Sequence, residues 1–142
     1  MATTNTVRAR WIEGHRFLVA TGSGHTVVLD NPGREDGAAP SPMEMVLAAV
    51  AGCTGIDVVA ILEKMRQPLE GLEIEVRGVR REAHPRIYER VEIVYRAHGE
   101  GLDPAKVRRA VELSEGKYCS VSAMVAPAVP IEVVVEVNGR PA

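Results

Sequence analysis

Ser41-Pro42-Met43-Glu44-Met45-Val46-Leu47-Ala48-Ala49-Val50-Ala51-Gly52-Cys53-Thr54-Gly55-Ile56-Asp57-Val58-Val59-Ala60-Ile61-Leu62 is the stretch on which the fold turns. Ser41 offers a side-chain acceptor for a helix N-cap, Pro42 suits the first helical position, and Glu44 completes an S-x-x-E capping box. The helix opened in this way runs to about Arg66 and is ended by Pro68 and Gly71. From Met43 to Leu62 only Glu44 and Asp57 are charged, so the helix is apolar nearly all round and buried on most faces. One core in a chain of 142 residues hardly surrounds such a helix, so a partner subunit is implied. The run is as long as a membrane span of about 20 residues. Asp57 interrupts it and alanines and glycines dilute it, so the expectation is burial in protein and no membrane.

Upstream, Thr6 to Ile12, Phe17 to Ala20 and Thr26 to Leu29 are rich in Val, Thr and aromatics, and Gly14 and Gly22-Ser23-Gly24 break them into a β-meander. Asn31 to Pro40, with Pro32, Gly33, Gly37 and Pro40, reads as a loop of about ten residues, a length that tends to carry function. Downstream, Leu72 to Val76 alternates as a half-exposed strand, and Val91, Ile93 and Tyr95 give its antiparallel neighbour across a loop containing Pro85. Asp103 and Pro104 open a second helix with Val107, Ala110, Val111 and Leu113 on one face, and Gly116 ends it. Ser120 to Val125 is a short helical turn, and Ile131 to Val137 is the last strand. The order βββ-α-ββ-αα-β predicts one α+β domain over residues 1–142 with antiparallel sheet.

Hydrophobic residues make up 46% and charged residues 25% of the chain, the balance of a soluble globular domain. A net charge of −2 leaves no electrostatic footprint for nucleic acid. The densest basic stretch, Arg80, Arg81, Arg86 and Arg90, is interleaved with Glu82 and Glu89 and reads as a solvated hairpin face. Met1 to Arg10 is polar and has no signal-peptide character, so a cytoplasmic location is expected. There, thiols stay reduced and a disulfide is transient and catalytic.

The two cysteines, Cys53 and Cys119, are too few for a disulfide scaffold and enough for one dithiol–disulfide cycle. Each also suits simple burial as a small hydrophobe. Gly52 and Gly55 flank Cys53 and each disfavours the helix by roughly 1 kcal/mol against Ala, which calls for close approach of another element or a ligand. Asp57 lies one turn on from Cys53, and a carboxylate there raises the thiol pKa unless a cation neutralises it. Cys119 precedes Ser120-Val121-Ser122, so its sulfur can meet the free N–H groups of a helix start, with Lys117 close by in sequence; both favour the thiolate. His15, His25, His84 and His98 are scattered, and no C-x-x-C or H-x-x-x-H spacing supports a metal site. There is no G-x-S-x-G elbow and no phosphate-binding glycine loop leading into a helix.

Ser41-Pro42-Met43-Glu44-Met45, Ala48-Ala49-Val50-Ala51-Gly52-Cys53 and Lys117-Tyr118-Cys119-Ser120 together resemble the OsmC/Ohr family, the osmotically inducible and organic hydroperoxide resistance proteins. The resemblance covers essentially the whole chain. It implies an intertwined homodimer with antiparallel sheets around long central helices. It also implies a thiol-dependent peroxidase that prefers organic hydroperoxides, needs no cofactor and is recycled by an external dithiol. Cys53 matches the peroxidatic thiol and Cys119 the resolving one, although the helix-end argument by itself makes Cys119 the more acidic. Family members of the OsmC type carry a thiolate-stabilising arginine before the cysteine helix, and Arg34 falls at about that place. The glutamate that holds it directly follows the helix-start proline in the family; here Met43 stands there, and the acid is displaced to Glu44. That departure keeps a second expectation open, a non-enzymatic stress protein binding a small apolar or thiol ligand near Cys53.

Overall fold

A computed structural model describes residues 2–142 as two compact units, Met1–Val46 and Leu47–Ala142. The N-terminal unit carries the meander β1 (Val7–Glu13), β2 (Arg16–Thr21) and β3 (Thr26–Leu29), paired antiparallel in that order. All of β1 is exposed, with Trp11 63% accessible, and Asp30 is the single buried residue among the described residues before Val46. A sheet with so little core of its own is not stable alone. Asp30 organises the 31–40 loop: it accepts the N–H groups of Asn31 and Ala38 and pairs with Arg16 at 3.0 Å. Those two amides, and secondarily the Arg16 guanidinium, hold its carboxyl below the usual range against the opposing effect of desolvation.

Helix α1 (Pro42–Lys64) starts as the capping box predicts: Ser41 Oγ accepts the Glu44 N–H at 3.1 Å, and Glu44 Oε1 accepts the Ser41 N–H at 2.9 Å. Ser41→Ala removes the first of these bonds and is expected to destabilise the chain by about 1 kcal/mol, read by urea unfolding. Val50, Thr54, Val58 and Leu62 form an i, i+4 stripe with no exposed surface, and they are the only four buried residues of the helix. Burial on most faces is therefore not met within one chain: Ile56 is 74% exposed, and Val46 and Val59 also face outward. By length and composition alone α1 is apolar enough to cross a membrane.

In the C-terminal unit, β4 (Gly71–Arg80), β5 (Tyr88–His98), β6 (Ile131–Val137) and β7 (Arg140–Pro141) form one sheet in that order. β4 and β5 are antiparallel as expected, but β5 and β6 run parallel, with Val91 opposite Ile131 and Ala97 opposite Val137. The expectation of purely antiparallel sheet is corrected here. Residues 99–130 form a crossover, and a crossover that carries helices returns its strand in parallel. It contains α2 (Pro104–Leu113), capped by Asp103 Oδ1 on the Ala105 N–H, and α3 (Ser120–Val125). Between them Ser114–Tyr118 form a π-helical turn where the sequence predicts only a helix end at Gly116. β5 is the central strand, and its Val91, Ile93, Tyr95 and Ala97 build the core with Val107, Ala110 and Val111 of α2.

Gly99 closes the end of this sheet. Its N–H donates to Asn138 Oδ1 and its carbonyl accepts Asn138 Nδ2, both at 3.0 Å. A Cβ there would fall on the Pro68 carbonyl, which is backbone and cannot rotate away. Gly99→Ala is expected to destabilise the chain by about 3 kcal/mol and to lower Tm by roughly 10 °C in a thermal melt.

Candidate active site

Cys53 comes from the middle of α1 and Cys119 from the N-cap of α3, and the fold brings them together. The two Sγ atoms and a carboxylate oxygen of Asp57 lie within 4.8 Å of one another. The helical period accounts for Asp57, one turn beyond Cys53 on the same face. Both thiols are free; Cys53 is partly exposed, whereas Cys119 is buried at 2%. A structural zinc site takes four protein donors, and three converge here. A sulfur pair beside one carboxylate is a set suited to redox and acid–base chemistry.

The helix-start argument for Cys119 holds in geometry and fails in outcome. Its sulfur accepts the Ser122 N–H at 3.4 Å, as the cap of a short helix does. Burial nevertheless pushes the Cys119 thiol above its ordinary value. The Ser122 hydroxyl and N–H pull the other way without cancelling it, and the Cys53 sulfur adds to the rise. Lys117 is turned onto the ring of Tyr118, 5.1 Å from its centroid. Of the two readings open for Cys119, helix-start thiolate and simple burial, the structure favours burial, because desolvation outweighs the helix end.

Behind the sulfurs runs a line of oxygens that the sequence reading missed. Ser114 Oγ donates to Asp57 Oδ2 at 2.9 Å and lies 2.8 Å from Thr54 Oγ1. Thr54 Oγ1 lies 2.7 Å from the Tyr95 hydroxyl, which reaches Glu115 Oε1 at 2.8 Å. Ser122 Oγ donates to the same Glu115 oxygen at 3.3 Å. Burial holds the Tyr95 phenol above its ordinary value; the Thr54 hydroxyl opposes this, and the Glu115 carboxylate reinforces it. The π-helical turn supplies both Ser114 and Glu115, and its i→i+5 bond from the Cys119 N–H to the Ser114 carbonyl, 2.7 Å, joins it to Cys119. One signal was available beforehand: Thr54 and Asp57 are polar residues within an otherwise apolar run.

Arg34 and Glu44 belong to the N-terminal unit. Arg34 Nε pairs with Asp36 Oδ1 at 3.0 Å, and its Nη1 lies 3.3 Å from His15 Nε2. That hydrogen-bonded pair holds the Asp36 carboxyl below the usual range. The carboxylate on the arginine is thus Asp36, while Glu44 is engaged in the capping box. Gly55 has the close neighbour its position calls for, since a Cβ would stand 3.1 Å from Ile74 Cδ1; Gly52 has nothing within 4 Å. Both line a groove of about 650 Å³ with Ile56, Val59, Leu72 and Ile74. Its volume and apolar walls are those of a small-molecule site.

Comparison with known proteins agrees with this architecture. The family model described as OsmC-like protein matches residues 34–134. Protein YhfA of Escherichia coli strain K12 is 45% identical over 124 residues, which is 87% of this chain and 91% of that one. A hypothetical protein from Aquifex aeolicus VF5 superposes with a TM-score of 0.86 at 36% identity, covering 96% of this chain and 98% of that one. The organic hydroperoxide resistance protein OsmC of Legionella pneumophila shares the fold at a TM-score of 0.68 and 18% identity, covering 96% and 98%. The family match over most of the chain and the close YhfA relationship show that the protein belongs to the OsmC-like family.

Proposed function

We propose that this protein is a thiol-dependent peroxidase that reduces organic hydroperoxides. The observation that carries the reading is the convergence of Cys53 and Cys119 from separate elements. Their sulfurs are close enough to close a disulfide by a modest movement of either segment. The partly exposed Cys53 thiolate attacks the O–O bond, releasing an alcohol and forming a sulfenic acid. Cys119 condenses with it, water leaves, and an external dithiol reduces the resulting disulfide by exchange. The difference in burial supports this division of labour, since a peroxide reaches the less buried thiol first.

By family resemblance Arg34 is the cation that stabilises the Cys53 thiolate, with Asp36 holding it in the place expected of Glu44. The active form is a cytoplasmic homodimer: a second copy covers the exposed face of α1 and the sheet that has no core of its own. Capture of a small apolar or thiol ligand without turnover draws on the groove alone and leaves the convergence of the thiols unexplained. The test is steady-state consumption of cumene hydroperoxide with several dithiols in turn. Turnover that exceeds the protein-free rate and prefers cumene hydroperoxide over hydrogen peroxide is expected. No turnover with any dithiol would sink the peroxidase reading.

A further inference from the structure

One residue joins the two thiol-bearing segments. Ser114 Oγ stands 2.8 Å from Thr54 Oγ1 and donates to Asp57 Oδ2 at 2.9 Å. Its side chain is thus fixed to α1 at the residue next to Cys53 and at the residue one turn beyond. Its carbonyl accepts the Cys119 N–H at 2.7 Å, so its backbone is fixed to the other cysteine. Tyr95 of the central strand backs the joint. The Tyr95 hydroxyl lies 2.7 Å from Thr54 Oγ1 and 2.8 Å from Glu115 Oε1, in the same π-helical turn as Ser114. Ser114, Thr54 and Tyr95 have no exposed surface. Water does not compete for hydrogen bonds shielded in this way, and such bonds hold a geometry firmly.

We propose that Ser114 is a positioning residue that, through Thr54, sets the effective concentration at which the Cys53 and Cys119 thiols meet. This role deepens the peroxidase reading, which needs the two thiols to join, but it is defined without peroxide. The i→i+5 bond of the π-helical turn is internal to the crossover; the Ser114 side chain refers it to α1. Sulfurs within 4.8 Å of one another must close to about 2.05 Å for a disulfide. Side-chain rotation and a small shift close that gap when both backbones are held. A Cys119 segment freed from α1 must first be brought back, against its entropy.

Exchange with oxidised glutathione reads this directly. One cysteine thiolate attacks the glutathione disulfide, a first glutathione leaves as thiol, and a mixed disulfide forms. The second cysteine displaces the other glutathione, and an S–S bond within the chain replaces the one that was broken. The two cysteines lose two electrons and two protons, which the glutathione disulfide gains in becoming two thiols. The equilibrium constant has units of concentration and is the effective concentration of the pair.

The test places reduced full-length protein in glutathione buffers of graded ratio, traps free thiols with an alkylating agent and counts the intrachain disulfide by mass spectrometry. Ser114→Ala removes both side-chain links and keeps the carbonyl; Thr54→Val removes one link and keeps the side-chain shape. Each is expected to lower the constant by about tenfold or more, which raises the potential of this two-electron couple by about 30 mV. Thr54→Ser keeps a hydroxyl and should restore the wild-type constant. Ser41→Ala weakens the start of α1 without touching the joint and should leave the constant unchanged. Circular dichroism verifies that each variant is folded. Constants for Ser114→Ala and Thr54→Val at or above the wild-type value overturn the proposal. So does an equal fall in Ser41→Ala, or no recovery in Thr54→Ser. None of these comparisons needs turnover, so a protein inert toward cumene hydroperoxide leaves the role of Ser114 to stand or fall on its own.

Discussion

Cys53→Ser is expected to abolish dithiol-driven consumption of cumene hydroperoxide, lowering it by at least about 10³-fold to the protein-free rate. A serine hydroxyl at this site stays protonated at neutral pH and does not break an O–O bond. The side chain is partly exposed, so the fold should be unchanged. Cys119→Ser separates the two halves of the cycle. Serine is a favoured N-cap, so α3 keeps its start and the buried site keeps a polar acceptor for the Ser122 N–H. This variant should consume about one peroxide per chain and stop at a Cys53 sulfenic acid that dimedone traps. Excess peroxide should carry that sulfur to the sulfinic acid. The opposite pattern, with Cys119→Ser inert and Cys53→Ser forming a trapped sulfenic acid at Cys119, would reverse the assigned roles.

Asp57→Asn should leave the fold intact and slow disulfide formation by about 10²-fold or more. An asparagine keeps a side-chain oxygen to accept the Ser114 hydroxyl, so stability is expected to hold. The amide neither accepts nor releases a proton, so proton transfer at the paired sulfurs loses its carboxyl group. Stopped-flow fluorescence separates the steps. The first phase, peroxide attack by Cys53, should keep a rate near that of the wild type, while the second, closure onto Cys119, should slow and expose the sulfenic acid to dimedone. Equal slowing of both phases would place Asp57 in the attack itself. An unchanged second phase would remove it from the chemistry.

How much of this was visible beforehand depends on the distance over which each feature is encoded. The α1 start was legible because Ser41, Pro42 and Glu44 act within one turn, and the structure shows both bonds of the capping box. The α2 cap at Asp103 and the apolar face of that helix are local in the same way. The parallel pairing of β6 on β5 was not legible: its strand pattern is the same in either direction, and the crossover between them decides. The π-helical turn at Ser114 was hidden because Gly116 reads as a helix stop, while the wider turn depends on what Ser114 and Glu115 bond to.

The site divides along the same line. Cys53 and Cys119 were singled out by short motifs, and the fold places their sulfurs within 4.8 Å of each other. Tyr95 and Ser114 lie 41 and 60 positions beyond Thr54, and no local pattern ties a threonine to a tyrosine and a serine at such separations. Which of two opposing effects governs Cys119 was not legible for a related reason. A helix N-terminus can be read from sequence, but the desolvation that outweighs it is a property of the folded core.

Peroxide is expected to make one particular bond, between Cys53 and Cys119. Reduced wild-type protein is mixed with an equimolar amount of cumene hydroperoxide, quenched with an alkylating agent and mapped as non-reduced peptides by mass spectrometry. The predicted product is a disulfide joining the Cys53 and Cys119 peptides within one chain, with both free thiols lost together. Two alkylated thiols after the peroxide is consumed, or an oxidised Cys53 beside a free Cys119, would contradict it.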